Sequence, residues 1–95
     1  MQYSEENFSV LLPILERVDI IKKLPSALKS IFANSIQPDQ VVVTVDGKVS
    51  NNFEKFIKEL ESIYPIEIVW INKKVGLDRA LNIGILKCRS EFIFR

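Results

Sequence analysis

The stretch Val41-Val-Val-Thr-Val-Asp46-Gly47 is the part of the chain best suited to carry chemistry. Five β-forming residues read as a buried central strand, and the run stops at an aspartate and a glycine. In open α/β sheets ligands collect beyond the carboxyl ends of the strands. A carboxylate there, followed by a glycine that lets the backbone turn, is therefore a candidate ligand group. Asp-Gly is also ordinary turn sequence, so the pair gains meaning only from what else the fold brings beside it. On this reading Asp46 lies beyond its strand, outside the core.

Other residue types narrow the chemistry by their absence. There is no histidine among the 95 residues, which removes the commonest general base and the commonest zinc ligand. Cys88 is the single cysteine, so no intrachain disulfide forms, and no basic segment leads into an apolar signal core. A reducing cytoplasm fits best. Thirteen basic residues against twelve acidic ones leave a net charge of +1, which provides no electrostatic footprint for nucleic acid or anionic lipid. With 47% hydrophobic and 26% charged residues the composition is that of one ordinary globular domain without a membrane segment.

The elements that must position Asp46 can be taken in order. Phe8 to Ile14 is nearly continuous in apolar residues and reads as a parallel strand covered on both faces, with Pro13 marking its end. From Asp19 an apolar stripe at Ile20, Ile21, Leu24, Ala27, Leu28, Ile31 and Phe32 predicts a helix. Pro25 either opens that helix or kinks it. After the strand ending at Asp46, Ser50 or Asn51 can cap a second helix with Glu54 in its first turn, whose apolar face carries Phe53, Phe56, Ile57, Leu60, Ile63 and Tyr64. Pro65 stops it, and Ile66 to Ile71 is a third strand, with Glu67 pointing to a place near the sheet edge. Gly76 to Cys88 predicts a third helix with Leu77, Ala80, Leu81, Ile85 and Cys88 inward. Gly84 inside it costs about 1 kcal/mol relative to alanine and so implies a close approach to the sheet or a ligand. Residues 91–95 begin a fourth strand.

The order β-α-β-α-β-α-β demands an α/β architecture in three layers: a Rossmann-like parallel sheet with right-handed crossovers and helices on both faces. Placing a ligand crevice beside the first strand gives the sheet order 3-2-1-4. Asp46, the loop after Pro13 and the amino end of the third helix would open onto it. Phe53, Phe56, Leu60, Leu28, Ile31, Ala80 and Leu81 are the expected core.

Three segments, Phe8-Ser-Val-Leu-Leu-Pro-Ile14, Pro38-Asp-Gln-Val-Val-Val-Thr-Val-Asp-Gly47 and Asn72-Lys-Lys-Val-Gly-Leu-Asp-Arg-Ala-Leu-Asn-Ile-Gly84, resemble in order and spacing the amino-terminal half of family 2 glycosyltransferases. The resemblance covers almost the whole chain. It implies the amino-terminal half of a GT-A fold and an enzyme that moves a sugar, with inversion, from a nucleotide diphosphate sugar to an acceptor hydroxyl in polysaccharide or glycan biosynthesis. By position, Asp46 would accept a hydrogen bond from the base imide, Gly47 would allow the close turn, and Pro13 and Leu15 would border the base. Gly76, Arg79 and Asn82 would lie by the nucleotide, with the Arg79 guanidinium suited to the diphosphate.

The departures from the family pattern are specific. Leu15 stands where an aromatic that stacks on the base is common, Glu16 where asparagine is frequent, and Val45 where a first acidic residue is frequent. The family's metal-binding Asp-x-Asp follows the fourth strand, so the chain reads as a partial nucleotide-sugar-binding domain, residues 1–95, truncated before that motif. No catalytic residue, metal ligand or cofactor is then expected within it. Mg²⁺ or Mn²⁺ is implied for the full-length enzyme, and the 95 residues alone are expected to be inactive. Rival readings are a non-catalytic α/β module, either nucleotide-binding or self-associating through an exposed fourth strand, and a phosphotransfer receiver domain, for which Glu16 alone is thin support.

Overall fold

The computed structural model describes residues 8–89, and the backbone of residues 92–94. The elements are β1 (Phe8–Ile14), α1 (Ile20–Ala33), β2 (Gln40–Asp46), α2 (Asn51–Ile63), β3 (Glu67–Ile71), α3 (Leu77–Lys87) and β4 (Phe92–Phe94). All described strand pairs are parallel and the sheet runs β3-β2-β1-β4. Glu91 and Arg95, assigned to the fourth strand by sequence, lie outside the described residues.

Every residue of β2 is buried, as a strand with neighbours on both edges and helices on both faces must be. Its side chains alternate between two layers. Val41, Val43 and Val45 join Leu24 and Leu28 of α1 and Phe53, Ile57 and Leu60 of α2 in one apolar cluster. On the opposite face α3 closes over Leu11 and Thr44, and it approaches so nearly that a Cβ on Gly84 would stand 2.4 Å from Leu11 Cδ1. Phe32 and Tyr64 stack at 5.5 Å, tying the end of α1 to the end of α2.

At the amino end of the sheet a buried amide takes the place of apolar packing. Gln40 Oε1 accepts from Ser9 Oγ and from the Arg89 N–H, each at 2.9 Å. Its Nε2 donates to the Lys87 carbonyl at 2.9 Å and to the Glu67 carboxylate. One side chain thereby joins β1, β2, β3 and the end of α3, with its hydrogen-bonding groups satisfied as burial requires.

Several expectations need correction. Pro13 does not end its strand: β1 continues to Ile14, with Pro13 in register with Thr44. β4 pairs with β1 only from Phe8 to Val10, so near Pro13 one edge of β1 has no described neighbour, and a missing N–H is tolerated there. Pro25, which the sequence leaves as either opening or kinking the helix, lies inside α1, so of the two alternatives only the opening role is set aside. Phe56, Ile31 and Leu81 are only half-buried, because the cluster is centred on Phe53 and Ile57. The inward face of α3 is Ala80 and Gly84, whereas Leu77 and Ile85 are exposed. Close approach to the sheet selects the small side chains, and the larger ones are displaced to the flanks.

Candidate functional site

Asp46 is the last residue of β2 and only 6% exposed, so it belongs to the strand rather than lying beyond it. Its carboxylate is already engaged: Oδ1 accepts the Val75 N–H at 2.8 Å and Oδ2 the Gly76 N–H at 3.0 Å. The aspartate thus anchors the β3–α3 loop at the amino end of α3. Gly47 follows with φ near +92° while its N–H donates to the Ile71 carbonyl at 2.8 Å. Gly76, the residue preceding α3, has the same φ. Both turns require backbone that residues with a Cβ rarely adopt.

Two adjoining cavities open at this carboxyl end of the sheet. One, of about 260 Å³, is bordered by Pro13, Ile14, Leu15, Arg17, Ile20, Asp46, Lys74, Gly76, Leu77 and Ala80. The other, of about 680 Å³, is bordered by Leu15, Glu16, Arg17, Asp46, Gly47, Lys48, Asn72 and Lys74. Leu15, Arg17, Asp46 and Lys74 are common to both. The combined cleft is apolar at its inner end, around Pro13, Ile14 and Ala80, and cationic along its rim.

The charges of that rim are distributed unevenly. Arg17 pairs with Asp19 at 3.5 Å, and Asp19 also holds Lys23 at 3.2 Å. The hydrogen bond from Lys23 is the main reason the Asp19 carboxyl titrates below its usual range. Lys48 and Lys74 make no ion pair among the described residues. Both carboxylates of the cleft are committed elsewhere, Asp46 to the loop amides and Glu16 to Ser50. The Ser50 hydroxyl and N–H hold the Glu16 carboxyl below its usual range. What remains facing solvent is a cluster of cations, suited to an anionic ligand.

Of the residues singled out by sequence, Pro13, Leu15, Asp46, Gly47 and Gly76 border the cleft. Arg79 and Asn82 are exposed on α3 and border neither cavity. The cations Arg17, Lys48 and Lys74 were missed by sequence reasoning, together with Asn72. Each follows a strand by one to three residues, and that position was the signal available. Leu15 offers no ring for stacking. Trp70 borders an adjoining groove that shares Gly47, Lys48 and Asn72 with the larger cavity, and it lines neither cavity of the cleft. Among the described residues no group of three His, Cys, Asp or Glu side chains could hold a metal ion, so these residues do not make a site for the divalent cation that the resemblance implies.

Comparison with known proteins adds an independent line. The family model described as glycosyl transferase family 2 matches residues 9–95. A UDP-Gal:alpha-D-GlcNAc-diphosphoundecaprenol beta-1,3-galactosyltransferase of Escherichia coli is 34% identical over 88 residues, which are 93% of this chain and 32% of that protein. An uncharacterized glycosyltransferase of Haemophilus influenzae is 34% identical over 92 residues, covering 93% of this chain and 33% of the relative. An amylovoran biosynthesis glycosyltransferase of Erwinia amylovora is 28% identical over 88 residues, again 93% and 33%. The chain spans about a third of the length of these curated relatives.

Proposed function

The chain belongs to the family 2 glycosyltransferases, and from that membership we propose that its cleft holds the nucleoside diphosphate of a nucleotide-sugar donor. The whole protein would belong to the GT-A fold and pass the sugar, with inversion, to an acceptor hydroxyl in polysaccharide or glycan synthesis. The observation that carries this reading is the convergence of Pro13, Leu15, Asp46, Gly47 and Gly76 on one cleft whose rim bears Arg17, Lys48 and Lys74.

The roles follow from chemistry and position. Pro13 and Leu15 border the base at the apolar end. Each oxygen of Asp46 has one lone pair engaged by a loop amide and retains another, which accepts the imide N–H of uracil. A uracil base is favoured by the similarity to the Escherichia coli galactosyltransferase, whose name includes UDP-Gal. The diphosphate lies toward Lys74, Arg17 and Lys48, whose positive charge offsets the negative charge of the leaving nucleotide. Arg79 and Asn82, outside the cleft linings, take no part in this assignment. A divalent cation, Mg²⁺ or Mn²⁺, would stabilise the departing diphosphate in the full-length enzyme. The described residues of this chain offer it no ligand set.

A cytoplasmic setting accompanies this proposal. No helix among the described residues is long and apolar enough to cross a membrane. The 95 residues by themselves are expected to bind the donor nucleotide without transferring sugar. Titration of the isotopically labelled chain with uridine diphosphate and guanosine diphosphate, with and without Mg²⁺, tests the reading through amide shifts. Perturbations confined to residues 13–17, 46–48 and 72–76 are expected, with no dependence on Mg²⁺. Shifts that avoid these segments, or no shifts with either nucleotide, would overturn the proposal.

A further inference from the structure

Glu16 borders the larger cavity but has no place in the donor contacts described above, and its carboxylate is spent on a distant element. Its Oε1 accepts the Ser50 N–H at 2.8 Å and its Oε2 accepts the Ser50 hydroxyl at 2.6 Å. Ser50 is the N-cap of α2, with its Oγ accepting the Phe53 N–H at 3.2 Å. In a capping box the N-cap amide is taken by a Glu or Gln three residues further along the same helix. That position here is Phe53, turned into the core, and Glu16 supplies the missing carboxylate from 34 residues away. The negative charge also sits where the helix dipole favours it.

This contact bridges the two walls of the cleft. Leu15 and Arg17 flank Glu16 on one wall, and Lys48 lies two residues before Ser50 on the other. Arg17 has its own anchor in Asp19, whereas for Leu15 the structure provides the neighbouring Glu16 clamp. We propose that Glu16 is a positioning residue for the donor: by clasping Ser50 it holds Leu15 at the distance from Asp46 that the base requires. The assignment rests on the nucleotide reading above and deepens it. The clamp acts mainly on the base end of the ligand: of the cations that meet the diphosphate, Arg17 is held by Asp19 and Lys74 precedes Val75, which Asp46 anchors, and Lys48 alone lies near Ser50.

The test is calorimetric titration of the wild-type chain, Glu16→Ala, Glu16→Gln, Ser50→Ala and the Glu16→Ala/Ser50→Ala pair. The probes are uridine diphosphate and inorganic pyrophosphate, which has no base. Glu16→Ala is expected to raise the Kd for uridine diphosphate on the order of fivefold, the low end of coupling between linked sites, and that for pyrophosphate less than about twofold. Glu16→Gln, which keeps the shape and one acceptor oxygen, should fall between. The double variant should bind no worse than Glu16→Ala. Wild-type-like affinity in both Glu16 variants overturns the clamp while leaving the donor reading standing. Equal losses for the two probes overturn it too, because they show an effect of general loosening. No nucleotide binding by the wild-type chain removes the donor reading and the clamp together.

Discussion

Gly84 on α3 and Leu11 on β1 meet so closely that a single methyl at Gly84 would lie 2.4 Å from Leu11 Cδ1 and 2.9 Å from Thr44 Cγ2. Leu11 is completely buried, so its side chain can turn aside only by displacing packed neighbours. Gly84→Ala would gain about 1 kcal/mol of helix propensity, but overpacking a tight core costs about 1 to 3 kcal/mol. A net loss of about 1 kcal/mol is expected, read as a lower urea midpoint. A more stable variant would mean that α3 stands further from the sheet.

Thr44 has the opposite character. Its hydroxyl is buried and has no hydrogen-bond partner among the described residues, while its methyl fills the space under Gly84. An unsatisfied buried hydroxyl costs about 1 to 3 kcal/mol, so Thr44→Val, which keeps the methyl, should leave stability unchanged or raise it by up to about 1 kcal/mol. A measurable destabilisation on urea unfolding would show that the hydroxyl has an unseen partner.

Asp46 supports the fold as well as the cleft. Both of its oxygens accept amides of the β3–α3 loop, and hydrogen bonds to a charged acceptor are worth about 1.5 to 3 kcal/mol each. Asp46→Ala is therefore expected to cost about 2 kcal/mol or more and to release residues 74–76. Amide exchange should speed up at Val75 and Gly76 before it does in β2. Unchanged protection of those two amides would contradict the anchoring role.

Glu67 gives a pH-dependent term. The hydrogen bond from Gln40, aided by the Arg89 guanidinium at 3.0 Å, holds its carboxyl below the usual range. A depressed pKa contributes stability that is present above the unfolded-state value and is lost as pH falls through the folded-state value. The wild-type chain should thus be more stable than Glu67→Gln at about pH 6.5, and the gap should close by about pH 3. The pair is largely exposed, so the gap will be small. A gap that is the same at both values would rule out the ionised carboxylate as its source.

The chain's periodicities by themselves determined the kinds and order of the elements. Alternation and apolar runs distinguish strands from helices within a window of a few residues, and that information is local. An N-cap of α2 at Ser50 or Asn51 and a close approach of Gly84, to the sheet or to a ligand, were legible for the same reason, since each follows from the chemistry of one residue type, and the structure selects Ser50 and the sheet. The candidate site was half legible. Pro13, Leu15, Asp46 and Gly47 sit at strand ends, and a parallel sheet gathers its carboxyl ends on one side. Tertiary structure alone decided the rest. The strands pair across dozens of residues, and their register settles which loop residues meet. Only there do Arg17, Lys48 and Lys74, from three separate loops, form one cationic rim. Only there does Asp46 find amides 29 and 30 residues away, and Glu16 a helix cap 34 residues away. The inward face of α3 was likewise beyond the sequence, because hydrophobicity alone favours Leu77 and Ile85. The short distance between helix and sheet admits only Ala80 and Gly84, and that distance is a property of the packed layers.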